Sequence, residues 1–198
     1  MKLPEEFYQA ENVIIVARNL LGKALFTRCN GTVTGGIIVE TEAYSWTERG
    51  CHAYRKRRTS RNAIMFEKGG HAYVYLCYGI HYLFNVVTNV PGIPEAVLVR
   101  ALEPLEGMRA MEKRRGRRAD DYQLTSGPGK LTQALAIDRS MNGKYLLENE
   151  VWIEDVGKKI ASNMIVAGPR IGIDYAGEDA LLPWRFTIKG NRWVSRAS

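Results

Sequence analysis

Asn30-Gly31 sits between two β-prone runs, and no other feature of the chain constrains the fold as tightly. Asparagine and glycine both accept the positive φ angles of a two-residue type I′ turn, whose twist matches that of paired strands. The flanking runs, Ala24 to Arg28 and Thr32 to Glu40, therefore read as an antiparallel hairpin. Further β-prone segments lie at Ala72 to Leu76, Tyr82 to Thr88, Ala96 to Ala101, Val151 to Glu154 and Arg185 to Ile188. Residues 10–21 instead carry Val13, Ile14, Ala17, Leu20 and Leu21 at helical spacing, with Gly22 as a C-terminal cap. A second helix is expected at about 104–115, from Leu105, Met108 and Met111. A third begins at Ser126-Gly127-Pro128 and continues through Leu131, Ala134 and Leu135. The polar, basic, turn-rich residues 47–70 read as a long surface loop. The 198 residues show no internal repeat or linker. The expected fold class is α+β: a single compact domain, residues 1–198, with a curved, mainly antiparallel β-sheet surrounded by α-helices.

The charge points to a polyanionic partner. The chain carries a net +7, which favours nucleic acid first and an anionic membrane second. Two basic clusters stand out, Arg55, Lys56, Arg57, Arg58 and Arg61, and then Lys113, Arg114, Arg115, Arg117 and Arg118. Either alone is compatible with a solvated face. The cysteines, Cys29, Cys51 and Cys77, are odd in number and scattered, so they suggest reduced thiols and no disulfide framework. His52, His71 and His81 form no HxxxH or HxH pair, so no zinc site is expected. There is no apolar run of about 18 residues and no signal-peptide pattern at the start, which points to an intracellular protein.

Four features could carry chemistry. In Val39-Glu40-Thr41-Glu42-Ala43-Tyr44, strand alternation places Glu40, Glu42 and Tyr44 on one face. Two carboxylates and an aromatic ring on one face suit acid–base work on a flat substrate, and a solvated edge strand is the plainer alternative. Tyr73, Tyr75, Tyr78, His81 and Tyr82, closely followed by Asn85, offer flat faces for stacking on bases. A half-buried aromatic strand would have the same composition. His52 opens the basic loop. Ser126-Gly127-Pro128-Gly129-Lys130 could present backbone N–H groups and a cation to a phosphate, although GxxxxGK[ST] is absent.

Taken together, these segments resemble the 3-methyladenine (alkyladenine) DNA glycosylase family. The matching stretches run in order from Val16-Ala17-Arg18-Asn19-Leu20-Leu21-Gly22-Lys23 through VETEAY at 39–44, His52 and YVYLCYGIHYLFN at 73–85. They continue with VLVRALEPLEG at 97–107, SGPGKLTQALAI at 126–137, Arg170-Ile171-Gly172-Ile173 and Pro183-Trp184-Arg185-Phe186. The resemblance implies a monofunctional glycosylase that flips a damaged purine from the duplex and hydrolyses its bond to the sugar. It implies that Glu42 is the general base and that Arg100 stands beside the catalytic water and the target phosphate. Tyr44, His52 and Tyr75 would wall the base pocket, Asn85 would disfavour the guanine 2-amino group, and Tyr78 would intercalate. Arg57, Arg58, Arg61 and Lys130 are the expected DNA-binding cations. The implied partner is duplex DNA containing damaged purines, met by a monomer in the cytoplasm or nucleoid, without metal, organic cofactor or membrane. The basic loop at 55–61 and the segment 113–123 depart from the family pattern. The competing readings are a non-catalytic nucleic-acid-binding module and a helix-hairpin-helix glycosylase or lyase.

Overall fold

In the computed structural model, which describes residues 1–196, strands β1 (Ala24–Cys29) and β2 (Thr32–Ser45) pair antiparallel across Asn30 and Gly31. Those two residues have φ angles of 49° and 77°, as the turn requires. Six more strands join the same sheet: β3 (Ala72–Cys77), β4 (His81–Thr88), β5 (Glu95–Glu106), β6 (Val151–Glu154), β7 (Ile165–Gly168) and β8 (Arg185–Ile188). The main path is β3-β4-β5-β2-β1-β6, and every pairing is antiparallel.

Strand β2 is the spine. One edge pairs with β5 from Gly35 to Ser45. The other edge pairs with β1 up to Ile37 and with β8 from Glu40 to Glu42, so the sheet forks between them. At the fork the β2–β5 register slips twice: Val39 has no partner on β5, and Arg100 has none on β2. Such bulges bend a strand and re-aim its side chains.

Strand alternation divides the sheet into two faces. Ala43, Val74, Phe84, Val86, Val97 and Val99 enter the main core. Helices α2 (Val13–Leu20) and α4 (Pro128–Ala134) supply Val13, Val16, Ala17, Leu20, Leu131 and Ala134 to the same core. Thr41 Oγ1 donates to Ala17 O at 2.8 Å, which fixes β2 against α2. (The short α1, Glu5–Tyr8, precedes them.) On the opposite face Tyr73, Val87 and Ala96 pack under Cys51, Ala53 and Met65. The α+β sheet-and-helix architecture read from the sequence is therefore present, and no helix among the described residues is long and apolar enough to cross a membrane.

Two local readings are corrected. Residues 47–70 are not simply a surface loop. They form two short 3₁₀ turns, Tyr54–Lys56 and Ala63–Phe66, and bury Cys51, Ala53, Asn62 and Met65. Asn62 ties the loop to itself by donating to His52 O and Arg57 O and accepting from Thr59 N. Apolar contacts without a helical or strand period hid this packing. Residues 104–106 belong to β5, not to a helix, because Pro104 and Glu106 pair with Gly36 and Gly35. Helix α3 (Met108–Arg115) starts only after Gly107. Strand β7 was not legible at all.

The second basic cluster is partly structural. Arg114 donates to Thr34 Oγ1 and Ala134 O, and Arg115 donates to Leu124 O and Gln123 O. These bonds tie α3 to β2, α4 and the turn before α4.

Gly107 has φ 71°, and a Cβ there would lie 2.3 Å from Val33 O. Gly107→Ala should lower the unfolding free energy by about 2 kcal/mol or more in urea denaturation. An unchanged midpoint would show that the turn yields freely.

Candidate active site

The sheet face away from the helices floors a cavity of about 650 Å³, within the usual range for small-ligand sites. Tyr44 of β2, Tyr73 and Tyr75 of β3, Asn85 of β4, and Leu98 and Arg100 of β5 line it. They share a face because each strand's alternate residues point into the core. His52 and Arg61 of the loop form one wall, Ile171 and Tyr175 another, and the start of α4 closes a third side.

Glu40 and Glu42 are both fully buried. Burying a charge is tolerable only with paired charge and hydrogen bonds. Glu40 receives Arg100 Nε at 3.1 Å, Arg185 Nε at 2.6 Å, Ser195 N at 2.7 Å and Ser195 Oγ at 2.8 Å. Glu42 Oε2 receives the Tyr44 hydroxyl at 2.8 Å and Arg100 NH1 at 3.3 Å. Its Oε1 receives Ile171 N at 2.8 Å. Tyr44, Arg100 and Ile171 all line the cavity, so the Glu42 carboxylate lies immediately behind that lining. Burial opposes the charge of Arg100, but Glu42 and Glu40 outweigh it and raise its pKa above the ordinary value. Burial, and then the Glu42 charge, raise the Tyr44 pKa well above the ordinary range, which keeps the hydroxyl a donor.

The aromatic residues form one cluster. His52 Nδ1 lies 2.8 Å from Tyr73 Oη, and the His52 and Tyr75 ring centroids are 4.7 Å apart, edge to face. Tyr73 and Tyr75 lie 5.2 Å apart. Arg61 sits over the Tyr75 ring at 4.9 Å. Desolvation first, and Arg61 second, depress His52 from 6.5 to about 4, so its imidazole is neutral at physiological pH. Burial pushes the Cys51 thiol up to about 12, which leaves it a neutral packing group. Asn85 donates to Tyr73 O at 3.1 Å and presents a fixed amide in the wall.

Tyr78 occupies the tip of the β3–β4 hairpin with φ 49° and is 87% exposed at the cavity rim. Leu76 and Ile80 are exposed beside it. The tip lies against α4 with no space to spare: a Cβ on Gly129 would meet His81 Cγ at 2.7 Å. Lys130 lines the same mouth and bonds to Gln123 Oε1.

The structure thus brings together Glu42, Arg100, Tyr44, His52, Tyr75, Asn85, Tyr78, Arg61 and Lys130. Arg57 and Arg58 stand apart from them. Both are exposed outside the cavity lining, and Arg58 pairs with Glu67 at 3.6 Å. Arg61, expected only as a DNA cation, is also part of the aromatic wall. The sequence reading missed Arg170, Glu48, Arg185 and Ser195 as parts of the site. The RIGI and PWRF segments were visible there as motifs, but nothing in their spacing gave them roles. Among the described residues no three His, Cys, Asp or Glu side chains gather in a metal-binding group.

A family model described as methylpurine-DNA glycosylase matches residues 6–192. The chain is 48% identical over 196 residues to a Carboxydothermus hydrogenoformans protein named "Putative 3-methyladenine DNA glycosylase", covering 99% of this chain and 100% of that one. Proteins of the same name from Clostridium acetobutylicum and Methanocella arvoryzae are 47% and 46% identical. The first match covers 98% of both chains, and the second covers 98% of this chain and 96% of that one.

The depressed His52 pKa has a definite sign. As pH falls below about 6.5, the unfolded chain takes up this proton before the folded one does. The His52 penalty grows as pH falls from about 6.5 to about 4, stays at its full size below that, and is small at pH 7. An NMR titration should find its midpoint well below 6, with Arg61→Gln raising it. A midpoint near 6.5 would contradict the described environment.

Proposed function

The chain belongs to the methylpurine-DNA glycosylase family, and we propose that it excises flipped, damaged purines with Glu42 as the base that activates water. It is a DNA-repair glycosylase, a hydrolase acting on N-glycosyl bonds. One observation carries the mechanistic reading: the Glu42 carboxylate is held by three donors directly behind an aromatic cavity of purine-accommodating size.

A base within a duplex is out of reach, so it is extruded at a cost of a few kcal/mol. Tyr78, exposed at the rim, offsets part of this by filling the vacated stack, since base–aromatic stacking contributes about 1–3 kcal/mol. Tyr44, Tyr75 and His52 receive the flipped base. Alkylated purines such as 3-methyladenine and 7-methylguanine are cationic, and the tyrosine faces add about 0.5–2 kcal/mol of cation–π attraction. The neutral state of His52 adds no opposing charge from its ring. Neutral lesions such as hypoxanthine or ethenoadenine lack the cationic term and depend on hydrogen bonds. Asn85 works against normal guanine at its 2-amino group.

Departure of the base, with the electron pair of its bond, leaves an oxocarbenium-like sugar. The negative charge of Glu42 stabilises that cation and takes the proton of the attacking water. A carboxylate oxygen has about two acceptor positions. Oε2 uses both, whereas Oε1 uses one on Ile171 N–H and keeps one for water. Because Glu42 is fully buried in the free protein, the cavity lining must shift to admit that water. Arg100, anchored by Glu40, fixes the carboxylate and meets the phosphate of the target nucleotide. The product is an abasic site on an intact strand. Arg57, Arg58, Arg61 and Lys130 engage the duplex backbone.

Glu42→Gln should slow single-turnover release of 7-methylguanine by about 10²–10⁴-fold, and a near wild-type rate would remove Glu42 from the mechanism. Tyr78→Ala should weaken binding to lesion duplex by about tenfold or more, and much more than Glu42→Gln does. Equal affinity of Tyr78→Ala and wild type in a titration would rule out the wedge.

A further inference from the structure

Beneath the cavity wall lies an ion pair that does not itself line the cavity. Arg170 and Glu48 are almost completely buried and joined by two parallel bonds of 2.7 Å. Arg170 NH1 also donates to Ala43 O at 3.0 Å, and NH2 donates to Asp179 O at 3.1 Å. Four of its five N–H groups are thus committed, and Nε has no acceptor among the described residues. Its guanidinium is stacked against two rings, 4.7 Å from the Tyr44 centroid and 5.3 Å from that of Trp184. Burial opposes the charge, but bonding to Glu48 and its carboxylate outweigh that and raise the Arg170 pKa.

Buried ion pairs are weak contributors to stability, because desolvation consumes much of the attraction. The contacts of this pair indicate another use. Arg170 grips Ala43, the residue between Glu42 and Tyr44. It packs against the Tyr44 ring, whose hydroxyl bonds Glu42 Oε2. It directly precedes Ile171, whose N–H bonds Glu42 Oε1. Two of the three donors on Glu42 therefore depend on where Arg170 stands.

We propose that the Arg170–Glu48 pair is a positioning unit that sets the Glu42 carboxylate through Tyr44 and the Ile171 N–H. The inference rests on Glu42 being the base. Glu48 orients the guanidinium by bidentate pairing, Trp184 backs it, and Arg170 holds β2 and the 170–171 segment at a fixed separation. The pair touches no substrate, so its loss should leave the binding surface in place while the reacting carboxylate drifts.

The test uses the full chain with Glu48→Gln, which keeps the shape and weakens the ion pair. Single-turnover excision of 7-methylguanine should fall by about 10–100-fold, while affinity for lesion duplex changes by less than about threefold. In a double-mutant cycle with Tyr44→Phe, the two losses should be clearly less than additive, because both act on Glu42. An unchanged rate, a parallel fall in rate and affinity, or an additive cycle would each overturn the positioning role. If Glu48→Gln does not fold cooperatively, Trp184→Leu removes one face of the stack and is judged by the same rate, affinity and cycle. Continued activity of Glu42→Gln would instead remove the base assignment itself, whatever Glu48→Gln does. An inactive Glu42→Gln beside a silent Glu48→Gln removes only the positioning unit.

Discussion

Two carboxylates without solvent contact inside one sheet set the terms for the rest of this face. Burying Glu40 and Glu42 is tolerable only where cations and N–H donors reach them. The fork in the sheet allows this. Beyond the start of β1, β8 takes over that edge and sets Arg185 opposite Glu42, from where its side chain reaches Glu40. Where the β2–β5 register slips, Arg100 is left unpaired and reaches both acids. Ser195, near the end of the chain, completes the set around Glu40. The bulges, the fork and the C-terminal segment serve one electrostatic requirement.

The division of labour between strands and loops follows from the same arrangement. Glu42, Tyr44, Tyr75, Asn85 and Arg100 stand on strands whose reverse faces are locked into the main core. Groups that must hold a precise geometry gain from such rigid supports. The walls come from the 47–70 loop and the 171–175 segment, where chemistry can vary without disturbing the sheet. The loop is nevertheless pinned by Asn62 and by the small cluster around Met65, so His52 does not wander.

Local signals were legible in the sequence, and distant ones were not. The Asn30-Gly31 turn specifies its hairpin because the φ preferences of two adjacent residues suffice. The shared face of Glu40, Glu42 and Tyr44 follows from strand alternation, which survives the bulge between Ile38 and Thr41. The helix expected from about residue 104 starts only at Met108, because pairing with Gly35 and Gly36 prolongs β5 through Glu106, and tertiary pairing outweighs a short apolar spacing. Arg170 and Glu48 lie 122 residues apart, so no window of sequence could couple them. Arg185 and Ser195 depend on the same long-range closure. The ordered motifs marked these segments without showing what they touch.

The hairpin of β3 and β4 has a consequence for scale. It carries Tyr73 and Tyr75 within the cavity and Tyr78 at its tip. From Tyr75 to Cys77 the strand rises about 3.3 Å per residue before the turn at Tyr78, so the interval between pocket and tip is a ruler built into the backbone. Ladder hydrogen bonds keep its length, and the crowding of Gly129 against His81 fixes its angle. The separation between the pocket tyrosines and the exposed tip is therefore set by strand geometry. Lengthening the ruler by one residue between Tyr75 and Tyr78 would also turn the tip to the other face.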